Sequence, residues 1–155
     1  MIIECGDMWS VYSTTDLFLF TANGRVTLQG QLVMGRGMAR QVRTRFPGIA
    51  RRLGTHIGRP GLHTYSLLVS PQWPIKKTGA FQVKFDWSEE ANLTIIHDSV
   101  EALSRWCMVY PDMRVDMNYP GIGNGRRLED DIQPIICVLP DSVHVWKYKD
   151  KRRLA

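Results

Sequence analysis

The stretch VMGRGMARQVRTRFPGI, residues 33–49, places Gly35 and Gly37 immediately before a segment of helical periodicity. Apolar residues follow at every fourth position, and a Pro-Gly pair then ends the pattern, which predicts a helix. A glycine pair at the start of a helix can bring unpaired backbone N–H groups close to an anion. A lone Gly-x-Gly is more often a plain turn.

Segments of strand character alternate with helical segments on both sides of this stretch. The segment DLFLFT, residues 16–21, is apolar on both faces and precedes an Asn-Gly turn signal, which is typical of a buried central strand. The other predicted strands are 2–5, 62–70, 80–85, 114–119 and 143–148, and the other predicted helices are 49–57, 93–107 and 128–139. Pro134 fits the last helix only if it lies in the first turn. This alternation predicts an α/β fold with helices on both faces of a largely parallel or mixed sheet.

Composition narrows the class of protein. The chain has 155 residues, 44% of them apolar and 23% charged, which predicts one globular domain and excludes a disordered chain. No apolar run approaches the roughly 20 residues needed to cross a bilayer, and the N-terminus lacks the features of a secretory signal. We therefore expect a cytoplasmic protein without membrane contact. The three cysteines are far apart, which predicts neither a disulfide framework nor a zinc site but buried thiols in core elements.

Positive charge predominates, with a net charge of +5. Basic residues concentrate in the segment KYKDKRR, residues 147–153, and in the arginines of the predicted helical region, namely Arg36, Arg40, Arg43, Arg45, Arg51 and Arg52. Such a surface favours anionic partners such as nucleotides, nucleic acid or membrane headgroups without choosing among them. The terminal segment is also compatible with a solvated, frayed end.

A second glycine-rich junction lies in YPGIGNGRRLEDD, residues 119–131, between a predicted strand and a predicted helix. Its glycines are Gly121, Gly123 and Gly125. Two such junctions in one small α/β domain can clamp a pyrophosphate from both sides. Neither junction matches a Walker A loop or a dinucleotide-binding Rossmann fingerprint.

Two further loops carry polar residues after predicted strands. In GDMW, residues 6–9, Asp7 can accept a hydrogen bond from an exocyclic amine, although Gly-Asp is also common in ordinary turns. In FQVKFDW, residues 81–87, Lys84 ends an apolar strand. It can serve as a base, a nucleophile or a phosphate contact, or it can be a surface lysine whose stem lies along apolar neighbours.

Taken in order, GDMW, TDLFLFTANG, GQLVMGRGMARQVRTRFPGI, FQVKFDW, SVEAL, YPGIGNG and VHVW resemble the macro domain family over essentially the whole chain. The resemblance is closest to small bacteriophage and bacterial macro proteins and to the branch that removes ADP-ribose from proteins or DNA. It implies a three-layer α/β/α fold with a mixed, roughly six-stranded sheet over residues 1–149, followed by a basic tail at 150–155. It also implies ADP-ribose as ligand, no cofactor, no metal and a monomer, in the host cytoplasm if the protein is phage-encoded.

Carried over by position, the resemblance implies roles for individual residues. Asp7 would hydrogen-bond the adenine amine with Met8 beside it, Trp146 would pack against adenine, and Asn23 would lie near the distal ribose. The loop that cradles this ribose and the diphosphate would consist of Val33, Met34, Gly35, Arg36, Gly37, Met38 and Ala39. The opposing phosphate loop would consist of Pro120, Gly121, Ile122, Gly123, Asn124, Gly125 and Arg126.

Lys84 and Asn23 are the implied catalytic residues. Lys84 matches the lysine that attacks the anomeric carbon or assists the ring-opened sugar, which requires a neutral amine and hence a lowered pKa. The sequence departs from the family after the second glycine loop. Arg127 stands about where the glutamate-directed branch has an aspartate, and Arg126 and Arg127 replace the Gly-Gly-Leu pattern of the nucleic-acid-directed branch. These two arginines would hold an additional phosphate or face solvent.

Two main functions remain open on this basis. The first is hydrolysis of ADP-ribose derivatives, such as ADP-ribose 1''-phosphate or ADP-ribosylated protein or DNA. The second is non-catalytic binding, for example by a phage protein that sequesters a host ADP-ribose-type signal. Weak nucleic-acid contact through the arginine-rich helix and basic tail is an accessory expectation.

Overall fold

The computed structural model describes residues 1–69 and 77–148 of the chain. Its strands are β1 Ile2–Cys5, β2 Leu17–Ala22, β3 Arg25–Val26, β4 Gly61–Leu62, β5 Leu67–Leu68, β6 Thr78–Gln82, β7 Val115–Asn118 and β8 Val143–Lys147. Its helices are α1 Gly37–Arg45, α2 Ile49–Ile57, α3 Leu93–Val109 and α4 Glu129–Ile136. Short 3-10 turns span Met8–Val11 and Gly123–Gly125.

Six strands form one mixed sheet in the order β1-β8-β7-β2-β6-β5. All neighbours are parallel except β5 and β6, which are antiparallel. Strand β2 lies inside the sheet, and its side chains from Leu17 to Phe20 are at most 1% exposed because both faces are covered. The sequence prediction of a buried central strand is therefore confirmed. The antiparallel pair β3–β4 forms a separate two-stranded sheet.

Helices cover both faces of the large sheet. On one face α1 and α2 pack against Phe18 and Phe20, and on the other α3 and α4 pack against Leu17 and Leu19. Helix α3 places its apolar stripe on the sheet because its buried residues recur at helical spacing. Asn92 caps its start by accepting a hydrogen bond from the Ile95 amide at 3.1 Å. The three-layer α/β/α architecture predicted from the sequence is confirmed.

The predicted strand 62–70 is wrong in its extent. Only Leu67 and Leu68 pair with β6, and Ser70 lies outside the described residues. Ser66 has a φ of 62°, and the amides of Tyr65 and Ser66 donate to Gln82 Oε1 at 2.8 and 3.1 Å rather than to a neighbouring strand. The buried side chain of Gln82 therefore takes the place of a neighbouring strand as the acceptor for these amides. The local sequence of residues 62–70 contains no signal that predicts this contact.

Two smaller predictions are corrected. Pro134 lies inside α4, beyond the first turn. Because proline has no N–H, it cannot donate to a carbonyl of the preceding turn, and α4 ends two residues after Pro134. Of the three thiols only Cys107 is buried, whereas Cys5 and Cys137 are exposed. Cys5 ends an edge strand and Cys137 follows α4, so neither element covers its side chain.

The five parallel strands β1, β8, β7, β2 and β6 end along the same edge of the sheet. Loops that follow these ends meet there, and in α/β folds this edge is where ligands bind. None of the helices among the described residues combines the length and apolar character that a membrane span requires.

Candidate functional site

A cavity of about 1330 Å³ opens at the carboxyl edge of the sheet. Residues at or just after the ends of all five parallel strands contribute to its wall: Cys5, Asn23, Lys84, Asn118 and Tyr148. The volume of this cavity exceeds the roughly 300–1,000 Å³ typical of pockets that bind drug-sized ligands, so the cavity has room for an extended ligand.

One wall is the first lip, defined here as residues 35–39, which comprises the last residues before α1 and its first turn. Gly37 has a φ of 57°, a conformation that glycine adopts without strain. Arg36 caps the helix without a side-chain hydrogen bond. Within residues 1–69 and 77–148, the five amides of the first lip donate to no protein acceptor. They therefore remain available to an anion, and the helix dipole adds positive potential.

The opposite wall is the second lip, residues 121–125. Gly121 and Gly123 have φ values of 80° and 65°. The amides at the end of this loop bond back to its own carbonyls, Gly125 to Ile122, Arg126 to Gly123 and Arg127 to Gly121. In the part of the chain that the structure describes, the amides of 121–124 have no such acceptor. Four of the five amides of the second lip therefore remain available as donors to a ligand.

The two lips face one another across the cavity. A Cβ built at Gly37 would lie 3.0 Å from Asn124 Nδ2 of the second lip. A Cβ at Gly35 would meet no protein atom within 4 Å. The two glycine junctions that are far apart in sequence thus close over one shared space.

Asn23 anchors the first lip to the end of β2. Its Nδ2 donates to the Val33 carbonyl at 2.9 Å, and its Oδ1 accepts from the Arg25 amide at 2.9 Å. The Tyr65 hydroxyl donates to the Asn23 carbonyl at 2.8 Å. Asn23 lines the cavity but is only 7% exposed, and its amide is largely committed to backbone. Its contacts hold Val33, two residues before the first lip.

Lys84 lines the cavity near the end of β6, two residues after this strand, and is 8% exposed. Its Nζ donates to the carbonyls of Trp87, Glu89 and Asn124 at 3.2, 3.1 and 3.4 Å. Burial lowers the Lys84 pKa, and the positive charges of Arg126 and Arg36 lower it further, against smaller opposing effects of Glu89 and Asp86. The structure therefore excludes a simple surface lysine at this position.

An aromatic region occupies the end of the cavity near β8. Trp146 Nε1 donates to Asp116 Oδ1 at 2.7 Å, and Arg114 pairs with the same fully buried carboxylate at 2.9 Å. Burial would raise the Asp116 pKa, but the hydrogen bonds from Arg114, Thr15 and Trp146 outweigh it and hold the pKa below its usual value. The indole of Trp146 is thus fixed by an ionised acceptor.

Tyr148, two residues after Trp146, is held by a hydrogen bond from a side chain of α1. Its hydroxyl accepts from Gln41 Nε2 at 2.9 Å, and Gln41 Oε1 accepts from Trp9 Nε1 at 2.7 Å. A side chain of α1 therefore connects the start of the chain to an exposed ring at the cavity mouth.

Five of the residues expected around the ligand do not form the cavity wall. Asp7 is exposed and caps the first 3-10 turn, where its Oδ1 accepts from the Trp9 amide. Met8 and Met34 are 1% exposed and pack in the core beside α1 and α2. Pro120 is buried immediately before the second lip, and Arg126 is exposed immediately after it, where its Nη2 donates to the Ser88 carbonyl. The methionines are core residues because they follow the apolar face of their segments.

Sequence reasoning also missed residues that line the cavity, and most of them lie at strand ends or in the loop after Lys84. They are Cys5, Thr21, Ala22, Val83, Trp87, Asn118, Tyr119, Glu129, Lys147 and Tyr148. Asn118 joins two strands, since its Nδ2 donates to Thr21 Oγ1 at 2.7 Å. The last residue of each predicted strand was the available signal, because those residues share the carboxyl edge.

One cluster outside the cavity has the composition of a metal site. His97, Asp98 and Glu101 place potential ligand atoms within 4.8 Å of one another on α3, and all three are exposed. Such exposed groups are common without an ion.

Solved structures share this fold, although no family model and no curated protein matches the sequence. The macrodomain of Mycobacterium tuberculosis DarG superposes with a TM-score of 0.65 at 22% identity, covering 97% of each chain. Thermosipho africanus DarTG in complex with ADP-ribose superposes with a TM-score of 0.63 at 16% identity, covering all of this chain and 45% of that one. The macrodomain of Thermus aquaticus DarG gives 0.58 at 19% identity, covering 96% and 97% of the two chains. The chain therefore has the macrodomain fold.

Proposed function

We propose that this protein binds ADP-ribose and hydrolyses the bond at the distal ribose of ADP-ribosyl derivatives, with Lys84 as the catalytic residue. The observation that carries the proposal is the pair of amide-bearing lips that face one another over one cavity, with a buried lysine at one end and an indole at the other. The superposition on a DarTG structure that contains ADP-ribose supports the choice of ligand.

The geometry favours one orientation of the ligand. The diphosphate lies between the lips, where free amides of both loops can donate to its oxygens. The adenine lies toward Trp146, because stacking of a base on an indole contributes about 1–3 kcal/mol. Strands β8 and β6 are three strand spacings apart in the sheet, roughly 14 Å. The distal ribose then reaches Lys84 at the far end.

Lys84 must change its protonation state to act. Donation to three carbonyls uses all three hydrogens of an ammonium group, so the resting state is charged. Its lowered pKa reduces the free energy needed to reach the neutral amine. The neutral amine attacks the anomeric carbon and forms a C–N bond as the bond to the leaving group breaks, and the proton lost by the amine passes to the leaving group. Water then adds its hydroxyl to the anomeric carbon as the C–N bond breaks, and its remaining proton returns to the amine and restores the lysine.

The test combines binding and turnover. Calorimetry with ADP-ribose measures affinity for the wild type, for Lys84→Ala and for Arg105→Gln, a control at an exposed arginine of α3 outside the cavity. Turnover is then measured on ADP-ribose 1''-phosphate, ADP-ribosylated protein and ADP-ribosylated DNA. We expect Lys84→Ala to bind ADP-ribose within about tenfold of wild type but to lose at least about 100-fold in rate. Failure of the wild type to bind ADP-ribose would refute the whole proposal.

A second candidate function is binding without catalysis, and one observation favours it. Arg127 stands where the resembled glutamate-directed branch has an acid, and it is tied to the Ala91 carbonyl at 2.7 Å and to Glu90 at 3.8 Å. It therefore supplies no carboxylate to Lys84. Tight ADP-ribose binding together with no turnover of any of the three substrates would identify the protein as a binder.

A further inference from the structure

Two guanidinium groups from opposite lips converge on one exposed turn beside Lys84. Arg36, in the first lip, has its Cζ 5.8 Å from the ring centroid of Trp87. Arg126, which follows the second lip, donates from Nη2 to the Ser88 carbonyl at 3.0 Å. Trp87 is 49% exposed and lines the cavity, so both cations stand at its mouth.

Neighbouring carboxylates leave this positive charge mostly uncompensated. Asp86 is paired with Arg25 at 3.0 Å, and Glu90 is paired with Arg127 at 3.8 Å. Glu89 remains as a nearby exposed carboxylate. Arg36 and Arg126 together with Glu89 give two positive charges against one negative, and the Lys84 ammonium raises the local balance to +2, which suits a dianion; in a Lys84→Ala protein the two arginines still leave a balance of +1.

Arg126 also occupies a backbone conformation that disfavours it. Its φ is 59°, in the left-handed region where a non-glycine residue is strained by about 1–2 kcal/mol. A glycine would adopt this conformation freely. The loop nevertheless carries a long cationic side chain here, and the bond to Ser88 uses one of its five N–H donors. The remaining donors form a fork of the kind that binds phosphate oxygens in pairs.

We propose that Arg36 and Arg126 form a phosphate-binding subsite at the Lys84 end of the cavity, which selects ADP-ribosyl substrates whose leaving group carries a phosphate. This subsite lies beyond the distal ribose, outside the space between the lips, and rests on the proposed function. The charge balance favours a phosphomonoester dianion such as that of ADP-ribose 1''-phosphate. A phosphodiester of a nucleic acid offers the same chemistry with one charge per group.

Calorimetry in a Lys84→Ala background, which prevents turnover, tests the subsite. Each protein is titrated with ADP-ribose and with ADP-ribose 1''-phosphate. In a second arm the ligands are an ADP-ribosylated nucleoside and the same nucleoside within a short oligonucleotide. The background protein should prefer the phosphate-bearing ligand of at least one arm. The variants Arg126→Gln and Arg36→Gln should each lose about tenfold in affinity for that ligand.

Control variants separate recognition from folding. Arg126→Gln should change the affinity for ADP-ribose less than about twofold, and Arg126→Lys, which keeps the charge, should lose less of the phosphate preference. Arg105→Gln removes an equal charge from α3 and should leave both affinities unchanged. Preference confined to the first arm identifies a monoester, and preference confined to the second identifies a phosphodiester.

Three results would overturn the subsite. They are equal affinity for phosphate-bearing and phosphate-free ligands in both arms, a parallel loss of both affinities in Arg126→Gln, and a preference that Arg126→Gln leaves intact. In each case retained binding of ADP-ribose by the wild type would leave the proposed function standing. Absence of ADP-ribose binding by the wild type would refute both.

Discussion

Replacing Gly37 with alanine tests whether the first lip is a ligand site or only a turn. Gly37 has a φ of 57°, so alanine there forces a left-handed backbone that costs about 1–2 kcal/mol. For a domain of this size each kcal/mol lowers Tm by roughly 2–4 °C, so we expect a decrease of about 2–8 °C. A Cβ would also lie 3.0 Å from Asn124 Nδ2, so the Asn124 side chain on the second lip would have to move by a few tenths of an ångström.

Gly30 provides a matched control for the backbone cost. Its φ is 78°, a Cβ there meets no protein atom within 4 Å, and it does not line the cavity. Gly30→Ala should therefore destabilise the fold by a similar amount, on the order of 1–2 kcal/mol, without touching the lips. Thermal unfolding and calorimetry with ADP-ribose are measured on both variants. We expect at least about tenfold weaker binding for Gly37→Ala, equivalent to 1.4 kcal/mol, and wild-type affinity for Gly30→Ala.

Gly35→Val removes the remaining ambiguity. Gly35 needs no left-handed φ, and a Cβ there enters open space in the cavity wall, so valine should change stability by less than about 0.5 kcal/mol. It should nevertheless weaken ADP-ribose binding by at least about tenfold, since the branched side chain fills the approach to the first-lip amides. Wild-type affinity in both Gly35→Val and Gly37→Ala would mean that the glycines serve only the turn.

Gly121→Ala should cost about 2–4 kcal/mol in urea unfolding, because it combines a φ of 80° with a Cβ 2.9 and 3.0 Å from isoleucine side chains of α3 and α4. Asp116→Asn should cost on the order of 2–3 kcal/mol at neutral pH and disturb Trp146 fluorescence. The folded state lowers the pKa of Asp116, so the stability difference between wild type and Asp116→Asn should have its full size above the unfolded pKa near 3.9. This stability difference should disappear as the pH falls through the folded pKa of Asp116. A stability difference that persists in acid would contradict the prediction. If the neutral Lys84 amine reacts, kcat/KM should rise with pH through a midpoint below the usual lysine value, and Arg126→Gln should move that midpoint upward. An unmoved midpoint would argue against charge coupling between these residues.

Elements with strong local signals were predictable. The helix after the glycine pair begins at Gly37 and ends at Arg45, before the Pro-Gly stop, because periodicity and termination agree there. Strand β2 was recognised since a short run that is apolar on both faces fits only the interior of a covered sheet. The position of both glycine loops around one space was predicted from the presence of two glycine-rich junctions in one small α/β domain.

Long-range partners were not predictable in the same way. The sequence around Asp7 was compatible with a ligand contact. In the structure, Asp7 Oδ1 instead accepts a local hydrogen bond from the Trp9 amide. The acceptors of Lys84 come from residues 87, 89 and 124, which only the folded chain brings together. Gln82 accepts from the Tyr65 and Ser66 amides and so interrupts the predicted strand 62–70 before β5 begins, a contact that only the folded chain reveals.

The anchoring of the first lip by Asn23 has a consequence for how this protein can diversify. The Val33 carbonyl, two residues before the first lip, is held by a nearly inaccessible side chain just after the innermost strand. The residues at the mouth, Arg36, Trp87 and Arg126, are exposed and support little of the interior. On the proposed function, exchange of the mouth residues would alter the preferred leaving group and would leave untouched the contact that holds the segment before the first lip.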